Sequence, residues 1–264
     1  MKVYISVDIE GITGVTSWNE TEMGDEEHKL AAAQMKKEAL AACEGAVAAG
    51  ADEIWVKDAH DSGRNLWIDE FPPQVHLVRG WMDNPDSMVG GVDETFDAAL
   101  CIGYHSYGGS GENPLSHTMT SSGIFWTKFN GEFMSELLYH TYVCVRYGVP
   151  MVFVSGDKGL CENSANLVPG IRTVATKRGV GAATVIRNPD EVCKDIRETV
   201  KEALLSKHEL IDTKGPFALD ICYRQHQDAK RAGYYPGAEL LDPYTVRFKY
   251  DKLDDVITAF FLMH

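Results

Sequence analysis

The stretch that decides the fold is the N-terminal segment Met1-Lys-Val-Tyr-Ile-Ser-Val-Asp-Ile-Glu-Gly11. Its odd-numbered positions from Val3 to Ile9 are apolar, which predicts a buried strand, and Asp8 and Glu10 share the other parity. The period-2 geometry of a strand places both carboxylates on one face. Adjacent carboxylates repel each other, and a divalent metal ion between them would relieve this. The alternative is an ordinary solvated strand end.

The composition is that of a globular protein whose environment is free solution. The chain has 264 residues and a formal net charge of -14, with no long basic cluster. This charge argues against nucleic acid or an anionic membrane surface as a partner. No apolar run reaches the roughly 18 residues that span a bilayer. The chain enters a strand without the charged segment and cleavage site of a signal peptide, so we expect a cytoplasmic protein.

The cysteines indicate buried thiols. They are scattered, form no CxxC pair and lie mostly in apolar segments, which argues against a disulfide framework and against a zinc knuckle. The six are Cys43, Cys101, Cys144, Cys161, Cys193 and Cys222.

The segments after Gly11 predict a strand, a helix and a second strand. Residues 12–25 form a polar loop that contains Trp18 and could border a site. Helical periodicity runs from Glu26 to Ala49, with Gly50 at the C-cap, and residues 51–56 return to an extended pattern. The unit predicts a parallel strand pair with a right-handed crossover, and therefore an α/β fold with a mostly parallel sheet flanked by helices.

Histidines follow two more predicted strands. His60 ends the strand that begins at Glu53, and His105 directly follows the buried strand 96–104. In an open α/β sheet, ligands bind outside the carboxyl ends of the strands, where Asp8 and Glu10 also lie. The glycine-rich loop 106–117 then ends at His117. The remaining histidines are assigned structural or solvated positions: His28, His76, His140, His208, His226 and His264.

A third acid lies early in an apolar helix predicted over residues 131–146. Glu136 is a candidate site residue, although the helix dipole favours an acid there in any protein. The next strand, residues 149–154, leads to Asp157, which either orients a ligand or caps the following helix. Lys177 and Arg178 form a local basic spot that could contact a substrate carboxylate, with plain solvated charge as the alternative.

The last part of the chain predicts a smaller α+β portion. A helix runs from Asn188-Pro189 to about Lys207, followed by strands over 217–223 and 245–250 and a closing helix over 253–263. We therefore expect a metal-binding α/β domain over residues 1–187 and a smaller portion over 188–264 packed on it.

The candidate site combines three carboxylates with two imidazoles. This composition has too few nitrogens for a typical structural zinc site, and it fits a two-metal hydrolase in which one carboxylate bridges the metals. Asp8 is the natural bridge. The set comprises Asp8, Glu10, His60, His105 and Glu136.

Several short motifs resemble the D-aminopeptidases, which are binuclear zinc peptidases, in the order and nearly the spacing of that family. They are Ser6-Val-Asp8-Ile-Glu10-Gly11, Lys57-Asp58-Ala-His60-Asp-Ser62, Gly103-Tyr-His105, Ser116-His117-Thr-Met119, Ser135-Glu136-Leu137 and Ser155-Gly-Asp157. The resemblance implies two zinc ions per subunit, held by the five residues above with Asp8 bridging. It implies that His117 is a catalytic histidine beside the metals, and that the protein forms a ring-like homo-oligomer, possibly decameric as in the family's type member.

The expected activity is hydrolysis of short peptides, D-amino-acid-containing dipeptides or tripeptides, by attack of a metal-bound hydroxide. His117 would transfer a proton to the leaving amine or stabilise the oxyanion. Three further residues are candidates for orienting the ligands: Ser6, Asp58 and Asp157. The alternatives are a two-metal hydrolase of another amide or of a phosphoester, and a non-catalytic peptide- or metal-binding protein of the same fold.

Overall fold

Twelve strands and six helices form the fold in the computed structural model, which describes residues 1–264. The strands are β1 Lys2–Val7, β2 Glu53–Asp58, β3 Val75–Val78, β4 Ala98–Tyr104, β5 Ile124–Phe129, β6 Glu132–Phe133, β7 Met151–Asp157, β8 Arg172–Val180, β9 Ala183–Ile186, β10 Phe217–Tyr223, β11 Ala238–Leu240 and β12 Thr245–Tyr250. The helices are α1 Glu26–Ala48, α2 Glu136–Val145, α3 Lys158–Leu167, α4 Pro189–Leu205, α5 His226–Ala232 and α6 Leu253–Met263. None of these helices combines the length and apolar character needed to cross a bilayer.

The central sheet has seven strands in the order β3-β2-β1-β4-β7-β8-β9. All neighbours are parallel except β8 and β9, which form an antiparallel hairpin. The predicted fold class, a mostly parallel sheet flanked by helices, is confirmed. A second, antiparallel sheet has the order β11-β12-β10-β5-β6.

The middle of the central sheet is covered on both faces, so β4, for example, is buried at every position rather than at alternate ones. One face packs under α1 and α4, where Ile5 of β1 and Leu100 of β4 join an apolar cluster with Val200. The other face packs towards α2 and the antiparallel sheet, where Cys101 of β4 joins a cluster with Leu219. All six cysteines are free, and five of them are buried, in agreement with the prediction.

The strand order reverses between β1 and β4. The chain adds β2 and β3 on one side of β1 and then continues on the other side with β4 and β7. At such a reversal the connections leave the sheet in opposite directions and open a crevice beyond the carboxyl ends of the strands. The segments that follow β1, β2 and β4 all reach this crevice.

Two boundaries differ from the sequence prediction. β1 ends at Val7, so Asp8 and Glu10 lie in a turn rather than on one face of a strand. Helix α2 begins at Glu136 and not at residue 131, because the preceding residues form the hairpin of β5 and β6.

The antiparallel sheet takes strands from both sides of the predicted division at residues 187 and 188. β5 pairs with β10, and α4 packs against α1. The division of the chain into residues 1–187 and 188–264 stays a prediction.

Candidate active site

The turn after β1 is built by a glycine that allows close backbone contact. The Asp8 amide donates to the Ile102 carbonyl, and the Gly11 amide donates to the Gly103 carbonyl, both at 2.8 Å. A Cβ atom on Gly11 would lie 1.7 Å from the Tyr104 carbonyl oxygen. Only glycine fits this approach, which brings the turn against the end of β4.

The first group of site residues combines the two acids of this turn with His60. Asp8 and Glu10 are each 2 % exposed. The His60 Nδ1 atom lies 3.3 Å from Asp8 Oδ1 and 3.2 Å from Glu10 Oε2. One ligand atom from each residue lies within 4.8 Å of the others, which is close enough for all three to bind one metal ion.

The second group combines His105 and His117 with Glu136 at the first position of α2. His105 Nε2 lies 3.3 Å from Glu136 Oε2, and His117 Nε2 lies 3.6 Å from Glu136 Oε1. The two imidazoles stack, with ring centroids 4.2 Å apart. These three residues also offer ligand atoms within 4.8 Å of one another.

Asp8 faces both groups. Its Oδ1 atom points to His60, while its Oδ2 atom lies 3.6 Å from His105 Nε2. One carboxylate therefore has an oxygen beside each group, which is the arrangement that a bridging ligand requires.

Backbone carbonyls define which nitrogen of each histidine faces the site. His60 Nε2 lies 2.9 Å from the Thr21 carbonyl oxygen, and His105 Nδ1 lies 3.0 Å from the Ser106 carbonyl oxygen. His117 Nδ1 lies 2.8 Å from the Leu115 carbonyl oxygen. Because a carbonyl only accepts, each of these nitrogens donates, and the other ring nitrogen is the one that faces the carboxylates.

Several buried atoms of the site have no hydrogen-bond partner: Asp8 Oδ2, Glu10 Oε2 and His105 Nε2. Unsatisfied buried polar atoms are costly, and here they occur in both groups, with Asp8 Oδ2 and His105 Nε2 3.6 Å apart. Divalent metal ions bound by the carboxylate oxygens and imidazole nitrogens of each group would satisfy such atoms.

The electrostatics of the site reflect several carboxylates buried close together. Burial, reinforced by the Glu10 carboxylate, raises the pKa of Asp8 to about 8. Burial lowers the pKa of His105, but the Glu136 carboxylate outweighs this effect and raises that pKa to about 10. Burial and the neighbouring His105 lower the pKa of His117, so its imidazole is neutral at pH 7.

The three residues predicted to orient ligands differ in their hydrogen-bond partners. Asp157 accepts from the Ser106 amide at 2.7 Å and from its hydroxyl at 2.5 Å, and so positions the carbonyl that holds His105. It also caps α3 by accepting from the Leu160 amide at 2.9 Å.

Asp58 accepts from Asn65 at 2.9 Å and from the Leu66 amide at 2.6 Å, and Asn65 also donates to the His60 carbonyl. Asp58 therefore anchors the loop that carries His60. Ser6 contacts no candidate ligand, because its hydroxyl bonds to the Met88 carbonyl and the Tyr104 hydroxyl.

Lys177 neither faces a substrate nor lies in solvent, so both expectations for it are wrong. Its side chain is 2 % exposed and donates to the Glu10 carbonyl at 2.5 Å and to the Val15 carbonyl. It ties the turn that carries Glu10 to the polar loop that follows.

A cavity of about 470 Å³ opens above the two groups. Trp18 lines it and contacts His117 edge to face at 5.5 Å, which confirms that residues 12–25 border the site. The C-terminal residues Phe261 and His264 also line it. Sequence reasoning missed both, because α6 reaches the cavity only through tertiary packing. No lysine or arginine is among the lining residues.

Comparison with known proteins places this chain in a family. The D-aminopeptidase of Bacillus subtilis (strain 168) is 29 % identical over 267 residues, which cover 100 % of this chain and 96 % of that protein. The solved structure of the Zn-dependent D-aminopeptidase DppA from Bacillus subtilis, described as a self-compartmentalizing protease, matches with a TM-score of 0.91 and 28 % identity, again over 100 % and 96 % of the two chains. The sequence profile of the D-aminopeptidase family matches residues 1–262. The predicted resemblance and the predicted enzyme class are thus confirmed, and the chain belongs to the D-aminopeptidase family.

Proposed function

We propose that this protein is a cytoplasmic two-zinc aminopeptidase that hydrolyses short peptides, in particular D-amino-acid-containing dipeptides and tripeptides. The observation that carries the proposal is the position of Asp8 between two buried groups of candidate ligands, with unpaired oxygen and nitrogen atoms on both sides. The zinc dependence of the similar Bacillus subtilis enzyme supports the choice of metal.

In this proposal five residues hold the zinc ions. Asp8 would be a ligand to both ions, and Glu10 and His60 would be ligands on the side of the first group. His105 and Glu136 would be ligands on the side of the second group. Zinc bound at these residues would polarise the peptide carbonyl and lower the pKa of water. The protein's own contribution is to fix the donor atoms, since each imidazole is oriented by a backbone carbonyl and each carboxylate is buried.

His117 would move the proton in the proposed reaction. Its Nδ1–H is committed to the Leu115 carbonyl, which leaves Nε2 facing the cavity floor beside Glu136. Since the pKa of His117 is lowered, Nε2 is free to accept a proton at neutral pH and to return it to the leaving amine. Stacking on His105 and the edge contact with Trp18 hold the ring in place.

The cavity favours a peptide over a phosphoester. Phosphate sites rely on arginine, lysine or clustered backbone N–H groups, and the cavity wall contains neither cationic side chain. A peptide with a free amino terminus suits the carboxylates of the cavity better.

We also propose that the protein is a homo-oligomer, and that it forms a decameric ring. The self-compartmentalizing behaviour described for the similar Bacillus subtilis enzyme supports this proposal. Light scattering after size-exclusion chromatography tests it, with a mass of ten subunits expected. A monomer of 29.2 kDa would contradict it.

The test of the activity is metal analysis of the purified protein followed by hydrolysis assays on D-Ala-D-Ala and L-Ala-L-Ala. We expect two zinc ions per chain, loss of hydrolysis with a chelator, and recovery when zinc is restored. Full activity in metal-free protein would refute the zinc mechanism. Cleavage of only the L-dipeptide would leave the zinc hydrolase and remove the D-specificity.

A further inference from the structure

The cavity above the site has an aromatic wall that the proposed mechanism does not use. Trp81 lines the cavity and keeps 38 % of its surface exposed. It lies on the loop after β3, and Trp18 lines the same cavity. Met88, Met119 and Phe261 provide further apolar surface. An aromatic side chain left open to water beside a candidate active site offers apolar area for a ligand to cover.

Two contacts fix the orientation of Trp81. Its indole N–H donates to the carbonyl of Asp61 at 2.6 Å. Asp61 directly follows His60 in the chain. The Lys57 ammonium lies 4.4 Å from the centroid of the indole ring. The ring is therefore tied to the loop that carries a candidate metal ligand and is held from one face by a cation.

Lys57 is an unusual residue for this position. It lies in β2 with its side chain fully buried, and no carboxylate forms an ion pair with it. Its ammonium donates to the Gly80 carbonyl at 2.8 Å and to the Asp58 carbonyl at 2.5 Å. Burying an ammonium costs free energy, as the lowering of its pKa to about 8 by burial shows. An apolar side chain would fill the core at less cost, but it would hold neither Gly80 nor the indole of Trp81.

We propose that Trp81 is a specificity-determining residue that packs against an apolar side chain of the substrate, and that Lys57 is its positioning residue. The proposal rests on the aminopeptidase function proposed above. The occupant is the side chain on one side of the scissile bond, and a leucyl residue matches the apolar surface of the cavity. Losing such an apolar contact changes kcat/KM by about tenfold or more.

The test compares three peptides on the zinc-loaded enzyme: D-Ala-D-Ala, D-Leu-D-Ala and D-Ala-D-Leu. We expect one leucyl peptide to exceed the alanyl parent in kcat/KM by about tenfold. Trp81→Ala should reduce this ratio to near one, and Trp81→Phe should retain part of it. The matched control is Trp67→Ala, since Trp67 is 64 % exposed and also contacts a cation, Arg79 at 4.2 Å, but does not line the cavity.

The role of Lys57 requires a readout that a merely structural residue would not change. Lys57→Met should lower the leucyl-to-alanyl ratio in the same way as Trp81→Ala, and the double variant should show no further fall. Lys57→Arg, which keeps a cation under the ring, should restore most of the ratio.

The outcomes separate the two proposals. If the zinc-loaded wild type cleaves none of the three peptides, the proposed function and the role of Trp81 both fail. Hydrolysis without a leucyl preference, or an equal loss for alanyl and leucyl peptides in Trp81→Ala, overturns the role of Trp81 alone. Additive effects of Lys57→Met and Trp81→Ala on the ratio would overturn the positioning role.

Discussion

Replacing Gly11 with alanine tests whether close contact between the ends of β1 and β4 builds the site. The added Cβ would lie 1.7 Å from the Tyr104 oxygen and 2.6 Å from its carbonyl carbon. Ordinary contact begins at 3.4 Å, and the obstructing atoms are backbone. The two segments must therefore separate by roughly 1.7 Å, because no side-chain rotation can relieve the clash.

The separation would act on both stability and the site. Overpacking of a tight core contact costs about 1–3 kcal/mol of unfolding free energy, and a backbone clash lies at the upper end of that range. Glu10 directly precedes Gly11, and Asp8 Oδ2 lies only 3.6 Å from His105 Nε2 across the same contact. A displacement of 1 Å in a catalytic geometry can cost about 100-fold in rate. We therefore expect Gly11→Ala to lower the unfolding free energy and the zinc content, and to reduce activity by at least about 100-fold.

Urea denaturation, zinc content and kcat/KM for D-Ala-D-Ala measure these three effects. Gly111→Ala is the matched control, because a Cβ there meets no atom within 4 Å and its backbone is not in the left-handed region. The unfolding free energy of this control should stay within about 0.5 kcal/mol of the wild-type value. If Gly11→Ala retained the stability, zinc content and activity of the wild type, the close approach would not be what assembles the site.

Three further predictions follow from side chains around the site. His117→Ala should lower kcat by about 100-fold or more with zinc content intact, and loss of zinc in this variant would make His117 a ligand. Asp157→Asn should weaken zinc affinity by about 10- to 100-fold in competition with a chelator, because it disturbs the Ser106 carbonyl that orients His105; unchanged affinity would contradict this. Burial lowers the pKa of Lys177 from 10.5 to about 8, so between these values the unfolded chain binds more protons and stability rises with pH. Lys177→Met should remove that part of the rise in denaturation curves measured from pH 7 to 10, and an identical pH dependence would refute it.

The strand-end residues were predictable from the sequence because the reason for their position is local. Apolar strands at 53–58 and 98–104 are followed by His60 and His105, and parallel strands bring their carboxyl ends to one edge. The parity argument for Asp8 and Glu10 was wrong in detail, since β1 ends at Val7. The acids still meet, because the turn at Gly11 folds them back against β4.

The antiparallel sheet shows a signal that sequence reasoning missed. Residues 124–129 are rich in aromatic and β-branched side chains, and Asn130-Gly131 follows them with positive φ at both positions. Asn-Gly between extended segments is a strong hairpin signal, and it explains why α2 cannot begin at residue 131. The burial of Lys177 had no such signal, because its partners are carbonyls about 160 residues away in the chain.

The site also explains how charge, protons and metal are linked in this fold. Three buried carboxylates lie against two imidazoles whose pKa values are raised despite burial, so without metal these histidines carry protons at neutral pH. A metal ion binds only the neutral imidazole and must displace those protons. For the proposed zinc site we therefore expect metal affinity to rise as pH rises through the range in which His60 and His105 lose their protons. In the proposed function, the same carboxylates that repel one another would bind the cations, and Asp8, which faces both groups, would link them.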